Sequence, residues 1–248
     1  MPQCLIALGG NIGDVRRTFS SLYNRLDEDR RITRTKTASC YETEAIGADA
    51  GSNYWNSAIE IETDLPPLEL LDALERFERE FGRSSKGDRG PRPLDLDLLF
   101  YGEEILWTPR LQVPHSASWY RRFVLDPVCE IAPEFFHPVK QVRLSQLRER
   151  LLSRPFRLGI AGGGNDEKQR LCESLRLDFP QIEISPIDFL DDEEIEKYTI
   201  LAWLGDKEIS TRTFSFEELP LVSRLDLSIV PQDRTVFLKD VLNSALDL

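Results

Sequence analysis

Two aspartates separated by one residue form the strongest local pattern in the chain. Asp95 and Asp97 lie within Arg92-Pro93-Leu94-Asp95-Leu96-Asp97-Leu98, where polar and apolar residues alternate as they do on a β-strand. Both carboxylates therefore project from one face, and the leucines enter the core from the other. Neighbouring carboxylates repel each other, and a divalent cation with hard oxygen ligands removes that cost. The pattern indicates a magnesium site; an acidic strand face paired with Lys or Arg is the alternative.

A cationic segment leads directly into this acidic pair. Residues 83–93 contain no apolar residue other than proline, and they carry Arg83, Lys86, Arg89 and Arg92 among glycines. Phosphoryl transfer requires positive groups that take up charge shifting between oxygens, and the planar guanidinium can hold two oxygens at once. We interpret the segment as a phosphate-binding loop, with a solvated polar connection as the alternative.

A second set of candidate phosphate ligands follows the predicted strand. It consists of Arg110, His115, Arg121 and Arg122. Since His115 follows a proline, it is either a donor to phosphate or a structural histidine of a turn. The Gly9-Gly10 pair after the first strand lets the backbone approach a ligand closely, but two glycines alone are weak evidence.

Apolar spacing predicts the elements that position these residues. Strands are predicted at 4–8, 33–41, 54–63, 94–101 and 105–107, and helices at 14–26, 68–81 and 118–128. Asp14 is the predicted N-cap of the first helix, and Pro66-Pro67 opens the second. The order strand–helix–strand–strand–helix–strand predicts an α+β fold, an antiparallel sheet with flanking helices.

The segment 149–157 is the predicted boundary of a second domain. Beyond it, strands are predicted at 158–161, 182–184, 199–204 and 225–229, and helices at 166–175 and 236–246. This alternation predicts a small α/β domain at 155–248 after a first domain at 1–154. The glycine run 162–164 invites a phosphate-loop interpretation, but Gly-Lys-Ser/Thr is missing and acidic residues open the helix.

Composition excludes several classes of protein. The 248 residues are 41% hydrophobic and carry a net charge of −12, with 19 acidic and 10 basic residues from position 155 onward. An acidic surface argues against nucleic-acid binding, and no apolar run is long enough to cross a membrane. The chain start does not read as a signal peptide, so we expect a cytoplasmic protein, most simply a monomer, with assembly through the tail as the other option.

Four segments, in order, resemble the 6-hydroxymethyl-7,8-dihydropterin pyrophosphokinases, the ATP-using enzymes of folate biosynthesis. They are Ile6-Ala7-Leu8-Gly9-Gly10-Asn11-Ile12-Gly13, Tyr41-Glu42-Thr43 with Tyr54-Trp55-Asn56, Gly90-Pro91-Arg92-Pro93-Leu94-Asp95-Leu96-Asp97 and Pro109-Arg110-Leu111-Gln112-Val113-Pro114-His115. The resemblance covers about residues 3–150 and implies the ferredoxin-like sheet of that family. It leaves residues 155–248 as an acidic accessory domain of unknown function.

The resemblance also implies a role for individual residues. Asp95 and Asp97 match the ligands of two magnesium ions, and Asp95 also matches a substrate contact. Arg83 and Arg92 match catalytic loop arginines that also contact ATP. Further matches to the ATP site are Glu78, Leu98, Arg110, His115 and Arg121, and matches to the pterin pocket are Gly9, Thr43, Ile46, Tyr54, Asn56 and Phe123. The implied reaction is attack of the substrate hydroxymethyl oxygen on the β-phosphorus of ATP, with AMP leaving.

Some positions depart from the family pattern, and other functions compete. The departures are Glu44, Ala45, Asp88, Arg89, Gln112 and Ser116. They bear on adenine packing and loop closure, not on the chemistry. The competing hypotheses are a non-catalytic pterin- or nucleotide-binding module and a two-metal hydrolase that needs no pterin.

Overall fold

A computed structural model describes residues 1–44, 52–83, 90–188, 192–205, 215–230 and 233–247. Contacts divide the chain between Arg148 and Glu149 into two units. This division lies at the start of the predicted boundary segment 149–157 and six residues before the predicted end of the first domain at 154. Within the described ranges, no helix combines the length and apolar character required to cross a bilayer.

The first unit is built on an antiparallel sheet with the order β2-β4-β1-β5, in which β3 also pairs with β4. Its elements are β1 (Gln3–Gly10), α1 (Val15–Glu28), β2 (Ile32–Thr37), β3 (Tyr41–Thr43), β4 (Tyr54–Thr63), α2 (Pro67–Glu80), β5 (Asp95–Tyr101), β6 (Leu106–Trp107), β7 (Gln112–Val113), α3 (Arg122–Ile131), β8 (Phe136–His137) and β9 (Val142–Arg143). The division of the chain falls within the next helix, α4 (Leu144–Leu152). With the short strand β3 counted as an addition to the edge, the succession is βαββαβ, and together with this strand order it is ferredoxin-like. The predicted α+β fold is confirmed.

Helices α1 and α2 cover one face of this sheet, as their apolar periodicity predicts. Asp14 caps α1, since its carboxylate accepts a hydrogen bond from the backbone N–H of Arg17 at 3.0 Å. The core of this face is shared by the buried apolar side chains of both helices and of β1, β4 and β5, including Leu94, Leu96 and Leu98. The two aspartates lie on the opposite face, at the start of β5.

Two sequence-predicted elements differ in the structure. The strand predicted at 33–41 is interrupted, because residues 38–40 leave the ladder between β2 and β3. The helix predicted at 118–128 instead runs from Arg122 to Ile131. The predicted start at Ser118 is wrong, because the N–H of Ser118 donates to the carbonyl of His115 at 2.9 Å and the chain forms a turn there. Apolar periodicity indicates neither this turn nor the interruption of the strand.

The second unit is a parallel sheet with the order β11-β10-β12-β13, which confirms the predicted α/β organisation. Its elements are β10 (Arg157–Ala161), α5 (Asn165–Asp178), β11 (Glu183–Ile187), α6 (Asp192–Ile195), β12 (Ile200–Trp203), a 3-10 turn (Phe216–Glu218), β13 (Arg224–Asp226) and α7 (Arg234–Leu246).

The glycine run after β10 is explained by packing within the second unit. A Cβ atom on Gly162 would lie 2.5 Å from the carbonyl oxygen of Gly205, and one on Gly163 would lie 2.8 Å from the side chain of Leu204. Both glycines also have positive φ angles, of 70° and 59°. The loops after β10 and β12 therefore require these glycines for close mutual approach, independently of any phosphate.

His137 gives the first unit a predictable dependence on pH. The ring is 2% exposed, and burial, together with nearby Lys140, lowers its pKa to about 3. The unfolded chain, whose histidine titrates near 6.5, therefore binds more protons in acid, so stability falls as the pH drops from about 6.5 toward 3. Between pH 7 and pH 5 we expect His137 to contribute about 2 kcal/mol to this loss.

Urea unfolding of the wild type and of His137→Gln at both pH values measures this contribution. The difference in free energy of unfolding between pH 7 and pH 5 should be smaller in the variant by that amount. Equal pH dependence in the two proteins would show that His137 is not held neutral.

Candidate active site

The candidate site lies on the sheet face opposite α1 and α2, where three adjacent strands bring polar groups into a row. Gly9 of β1 is opposite Asn56 of β4 on one side and Asp95 of β5 on the other. Ala7 is opposite Asp97 in the same way. A Cβ atom on Gly9 would lie 3.7 Å from both Asn56 Oδ1 and Asp95 Cβ. The missing side chain thus leaves space for a ligand between an amide and a carboxylate.

Asn56 is held in one orientation by the edge of the sheet. Its side chain is 6% exposed, and its Nδ2 donates a hydrogen bond of 2.8 Å to the hydroxyl of Thr43 on β3. The amide oxygen consequently faces Gly9. A fixed amide can read paired donors and acceptors on a flat heterocycle.

The two aspartates differ in their partners. Asp95 forms ion pairs with Arg83 and with Arg92, the latter at 3.1 Å. Burial and the neighbouring Asp97 raise the pKa of Asp95, against the opposing effect of the two arginines. Asp97 makes no ion pair with any residue whose position the structure describes. The alternative of an acidic face paired with arginine thus applies to Asp95 and leaves Asp97 able to bind a cation.

Glu78 of α2 holds Arg83 and the start of β5. The residue is 2% exposed, and its Oε1 accepts a hydrogen bond of 2.7 Å from the backbone N–H of Leu96. The same carboxylate forms an ion pair with Arg83, whose own N–H bonds to the carbonyl of Glu78 at 3.0 Å. These contacts favour a role for Glu78 in placing Arg83; its predicted contact with nucleotide stays a prediction.

Arg92 connects the acidic pair with the predicted pterin side. Its guanidinium pairs with Asp95 and lies 5.9 Å from the ring centroid of Tyr54. Its backbone is fixed by Asn11, since Asn11 Oδ1 accepts from the N–H of Arg92 at 2.8 Å and the N–H of Asn11 donates to the carbonyl of Arg92 at 2.9 Å. Sequence reasoning missed this role of Asn11; the only signal was its place after a glycine pair.

His115 is neutral and oriented. The N–H of Ala117 donates to its Nδ1 at 3.3 Å, so the proton of the neutral ring resides on Nε2. Burial lowers the pKa of His115, Arg121 lowers it further, and Asp97 opposes the shift. A neutral imidazole with a fixed Nε2–H can donate a hydrogen bond to a phosphate oxygen.

Arg121 carries a charge that no acidic side chain in the described ranges balances. Its guanidinium lies 5.5 Å from the ring centroid of Phe123, and its buried Nε finds no hydrogen-bond acceptor among the residues that the structure describes. A buried donor without a partner is costly, so a ligand that accepts a hydrogen bond here would be favoured. An anion beside His115 and Phe123 would supply the acceptor.

Two predicted residues are not joined to this cluster, and a third lies outside the described residues. Arg110 pairs with Asp72 at 2.6 Å and Glu75 at 3.7 Å, both on α2. Leu98 is 3% exposed and packs into the core on the far face of β5, so little of its side chain is open to a ligand. Ile46 lies outside the residues that the structure describes, as do Lys86 and Arg89 of the cationic segment. Their roles remain predictions.

The cluster combines three carboxylates with three guanidiniums. The carboxylates are Glu78, Asp95 and Asp97, and the guanidiniums are Arg83, Arg92 and Arg121. These charges balance each other. A triphosphate would therefore bring excess negative charge to the site unless cations bind together with it. The arrangement suits a cation-assisted reaction at phosphorus beside a pocket for a flat, hydrogen-bonding ring.

Comparison with known proteins agrees with the family resemblance of the sequence. The family model described as 7,8-dihydro-6-hydroxymethylpterin-pyrophosphokinase matches residues 5–133. A Bacillus subtilis protein, 2-amino-4-hydroxy-6-hydroxymethyldihydropteridine pyrophosphokinase, is 40% identical over 129 residues, which are 52% of this chain and 77% of that protein. An Aquifex aeolicus protein of the same name is 32% identical over 156 residues, covering 63% of this chain and 96% of its own length.

A longer relative is also similar. The folate synthesis bifunctional protein of Arabidopsis thaliana is 41% identical over 130 residues. Those residues are 52% of this chain but 27% of the plant protein. The shared part therefore corresponds to one section of that larger polypeptide.

Proposed function

Since this chain belongs to the 7,8-dihydro-6-hydroxymethylpterin-pyrophosphokinase family, we propose that it transfers diphosphate from ATP to the hydroxymethyl group of the dihydropterin in folate biosynthesis. The hydroxymethyl oxygen forms a bond to the β-phosphorus, the bond from that phosphorus to the α,β-bridging oxygen breaks, and AMP leaves with this oxygen. The hydroxyl proton is released. The observation that supports this proposal best is the row Asn56–Gly9–Asp95 across three strands.

We assign the pterin to the amide side of this row. Asn56 reads its polar edge, and Tyr54 and Phe123 offer ring faces for stacking. The gap at Gly9 lets the hydroxymethyl group point toward Asp95. Placement of the reacting oxygen next to the phosphate site reduces the entropic part of the barrier, an effect worth up to roughly 7–11 kcal/mol.

Asp95 and Asp97 have the chemistry of a magnesium site. No group of three or more candidate metal ligands occurs among the side chains that the structure describes. Magnesium commonly uses one or two carboxylates and completes its coordination with water and substrate phosphates, so an isolated pair fits. We propose that the pair holds two ions together with ATP. Bound magnesium would neutralise phosphate oxygens during transfer.

The arginines and His115 then act on the triphosphate directly. Arg83 and Arg92 lie beside Asp95 and supply positive charge to phosphate oxygens. Arg121 and the Nε2–H of His115 supply further hydrogen-bond donors to the phosphate oxygens. The neutral ring of His115 already has its proton on Nε2, so it is a donor at pH 7. Each of these roles follows from a group that is already oriented before ATP binds.

Product analysis tests the proposed reaction. The full-length protein, incubated with ATP, Mg²⁺ and 6-hydroxymethyl-7,8-dihydropterin, should form AMP and pterin diphosphate in equal amounts, and AMP should not form without the pterin. Phosphate release that needs no pterin would support a hydrolase. Pterin and ATP binding without any product would support a non-catalytic binding module.

Arg121→Gln should raise the KM for ATP by about tenfold or more, since a donor to phosphate is lost. The melting temperature should not fall, because no described acceptor loses its partner. Arg148→Gln is the matched control: Arg148 pairs with Asp126 at 2.6 Å and belongs to no candidate site, so this change should lower stability and leave the ATP KM unchanged. The opposite pattern would place the phosphate contact elsewhere.

The second unit has a supporting role in this proposal. Its acidic composition and its packed glycine loops speak for an accessory domain that contributes to stability or assembly, not for a second nucleotide site. The monomeric state and the cytoplasmic location remain predictions from composition, and light scattering of the full-length protein measures the former.

A further inference from the structure

Glu130, in the last turn of α3, binds the connection between β2 and β3. One carboxylate accepts hydrogen bonds from three donors: the Ser39 backbone N–H at 3.0 Å, the Ser39 hydroxyl at 2.8 Å and the Tyr41 hydroxyl at 2.8 Å. Glu130 is an exposed residue, and these bonds outweigh the slight desolvation of its carboxylate and lower its pKa, so the group is ionised at neutral pH.

This contact replaces backbone pairing at the point where the edge of the sheet is interrupted. The ladder of β2 ends at Thr37, and the N–H of Ala38 still bonds to the carbonyl of Ala58 at 2.8 Å. The next N–H, that of Ser39, is bound by Glu130 instead. The carboxylate therefore fixes the segment from which β3 starts.

The position of β3 has a direct consequence for the candidate site. This strand has three residues, and in the described part of the chain it pairs only with β4, so its own ladder holds it weakly. Its register places Thr43 opposite Tyr54, and the Thr43 hydroxyl accepts the hydrogen bond that orients the Asn56 amide. A shift of β3 would free that amide to rotate.

Helix α3 carries both ends of this arrangement. Phe123 is in its first turn and Glu130 in its last, and the helix packs against β3 and β4. Its final carbonyl, that of Ile131, accepts a hydrogen bond of 3.0 Å from Lys36 of β2. The aromatic wall and the amide of the pocket are thus tied to one rigid element.

We propose that Glu130 is a positioning residue that sets the affinity for the pterin, because it holds β3 and through Thr43 the Asn56 amide. The proposal rests on the proposed function for the identity of the ring. It concerns affinity for the pterin alone: the residues proposed above to bind the phosphates of ATP are not among the hydrogen-bond partners of Glu130 in the described part of the chain, which are Ser39 and Tyr41.

The test compares Glu130→Gln with Glu134→Gln in the full-length protein. Glu134 is a matched control, since its side chain is 70% exposed and pairs with Arg143 at 3.1 Å, away from β3. The dissociation constant of the pterin, followed by its fluorescence, needs no turnover. We expect it to rise about fivefold in Glu130→Gln, equivalent to about 1 kcal/mol, and to be unchanged in the control.

Kinetics distinguish positioning from general damage. In Glu130→Gln the KM for the pterin should follow the dissociation constant, while kcat and the KM for ATP stay within about twofold of the wild type. Tyr41→Phe should weaken pterin binding less, and the double variant should bind about as weakly as Glu130→Gln, because both changes remove one shared contact.

Two results would overturn the proposal. One is a pterin dissociation constant within twofold of the wild type in Glu130→Gln. The other is an equal loss of pterin and ATP binding together with a lower melting temperature, which shows unfolding of the unit. If the wild-type protein binds pterin but forms no AMP, the proposed reaction fails while the role of Glu130 in binding is still measured.

Discussion

Replacing Asp97 with Asn should lower the rate of AMP formation by at least about a thousandfold while pterin binding stays within about twofold of the wild type. Asp97 is the sharper choice of the two aspartates, because Asp95 already pairs with Arg83 and Arg92 and Asp97 pairs with no described residue. Loss of Asp97 thus removes a cation ligand without releasing an arginine.

Stability should change in the opposite direction from activity. Asp97 raises the pKa of the buried Asp95 carboxyl, which means that the two charges repel each other in the absence of a cation. The melting temperature of Asp97→Asn without Mg²⁺ should therefore equal or exceed that of the wild type. A gain in stability together with lost activity is the signature of a group retained for function.

Titration with Mg²⁺ in the AMP assay, pterin binding and thermal melts measure these effects. Asp64→Asn is the control, because Asp64 is exposed and follows the end of β4 that lies far from Asn56. It should alter none of the three quantities. Normal turnover of Asp97→Asn at low Mg²⁺ would refute the metal role of the acidic pair.

Replacing Arg83 with Met should reduce both activity and stability. The rate of AMP formation should fall about a hundredfold or more, since a guanidinium beside the phosphates is lost. The free energy of unfolding should fall by about 2–3 kcal/mol, because the buried Glu78 carboxylate loses the guanidinium of Arg83 that offsets its charge. The loss of Arg83 destabilises Asp95 less, because Asp95 still pairs with Arg92 in the variant.

A second substitution separates the two effects. In the double variant Glu78→Gln/Arg83→Met the buried charge is gone, and Gln can still accept the hydrogen bond from the Leu96 N–H, so stability should largely recover. Activity should stay low. Arg79→Met is the control, since Arg79 is 63% exposed and pairs with Glu75 at 3.9 Å. Recovery of activity in the double variant would make Arg83 a structural residue only.

The sequence predicted the structural features that depend on a short periodic pattern of residues. Helices α1 and α2 begin and end within about two residues of their predicted bounds, because caps and apolar periodicity are local properties. The alternation at Asp95 and Asp97 placed both carboxylates on one face and the leucines in the core, as observed. The same patterns carried the family resemblance and with it the chemistry.

Contacts between residues far apart in the sequence could not be predicted from such patterns. Asn11 and Arg92 are 81 positions apart, and Ser39 and Glu130 are 91 apart, yet each pair is joined by hydrogen bonds. The break between β2 and β3 follows from the second of these bonds, and the burial of Glu78 beneath Arg83 follows from packing of α2 on β5. Neither partner of such a pair shows a distinctive local pattern.

The sequence by itself thus determined the residue types available for chemistry, the helices and strands that carry most of them, and the family. Only the tertiary structure decided which charges neutralise each other, which amide is fixed, and which groups are left for a ligand. The physical reason is that periodicity reports which side of an element is buried, whereas hydrogen bonds and ion pairs depend on the register and docking of elements far apart in the chain.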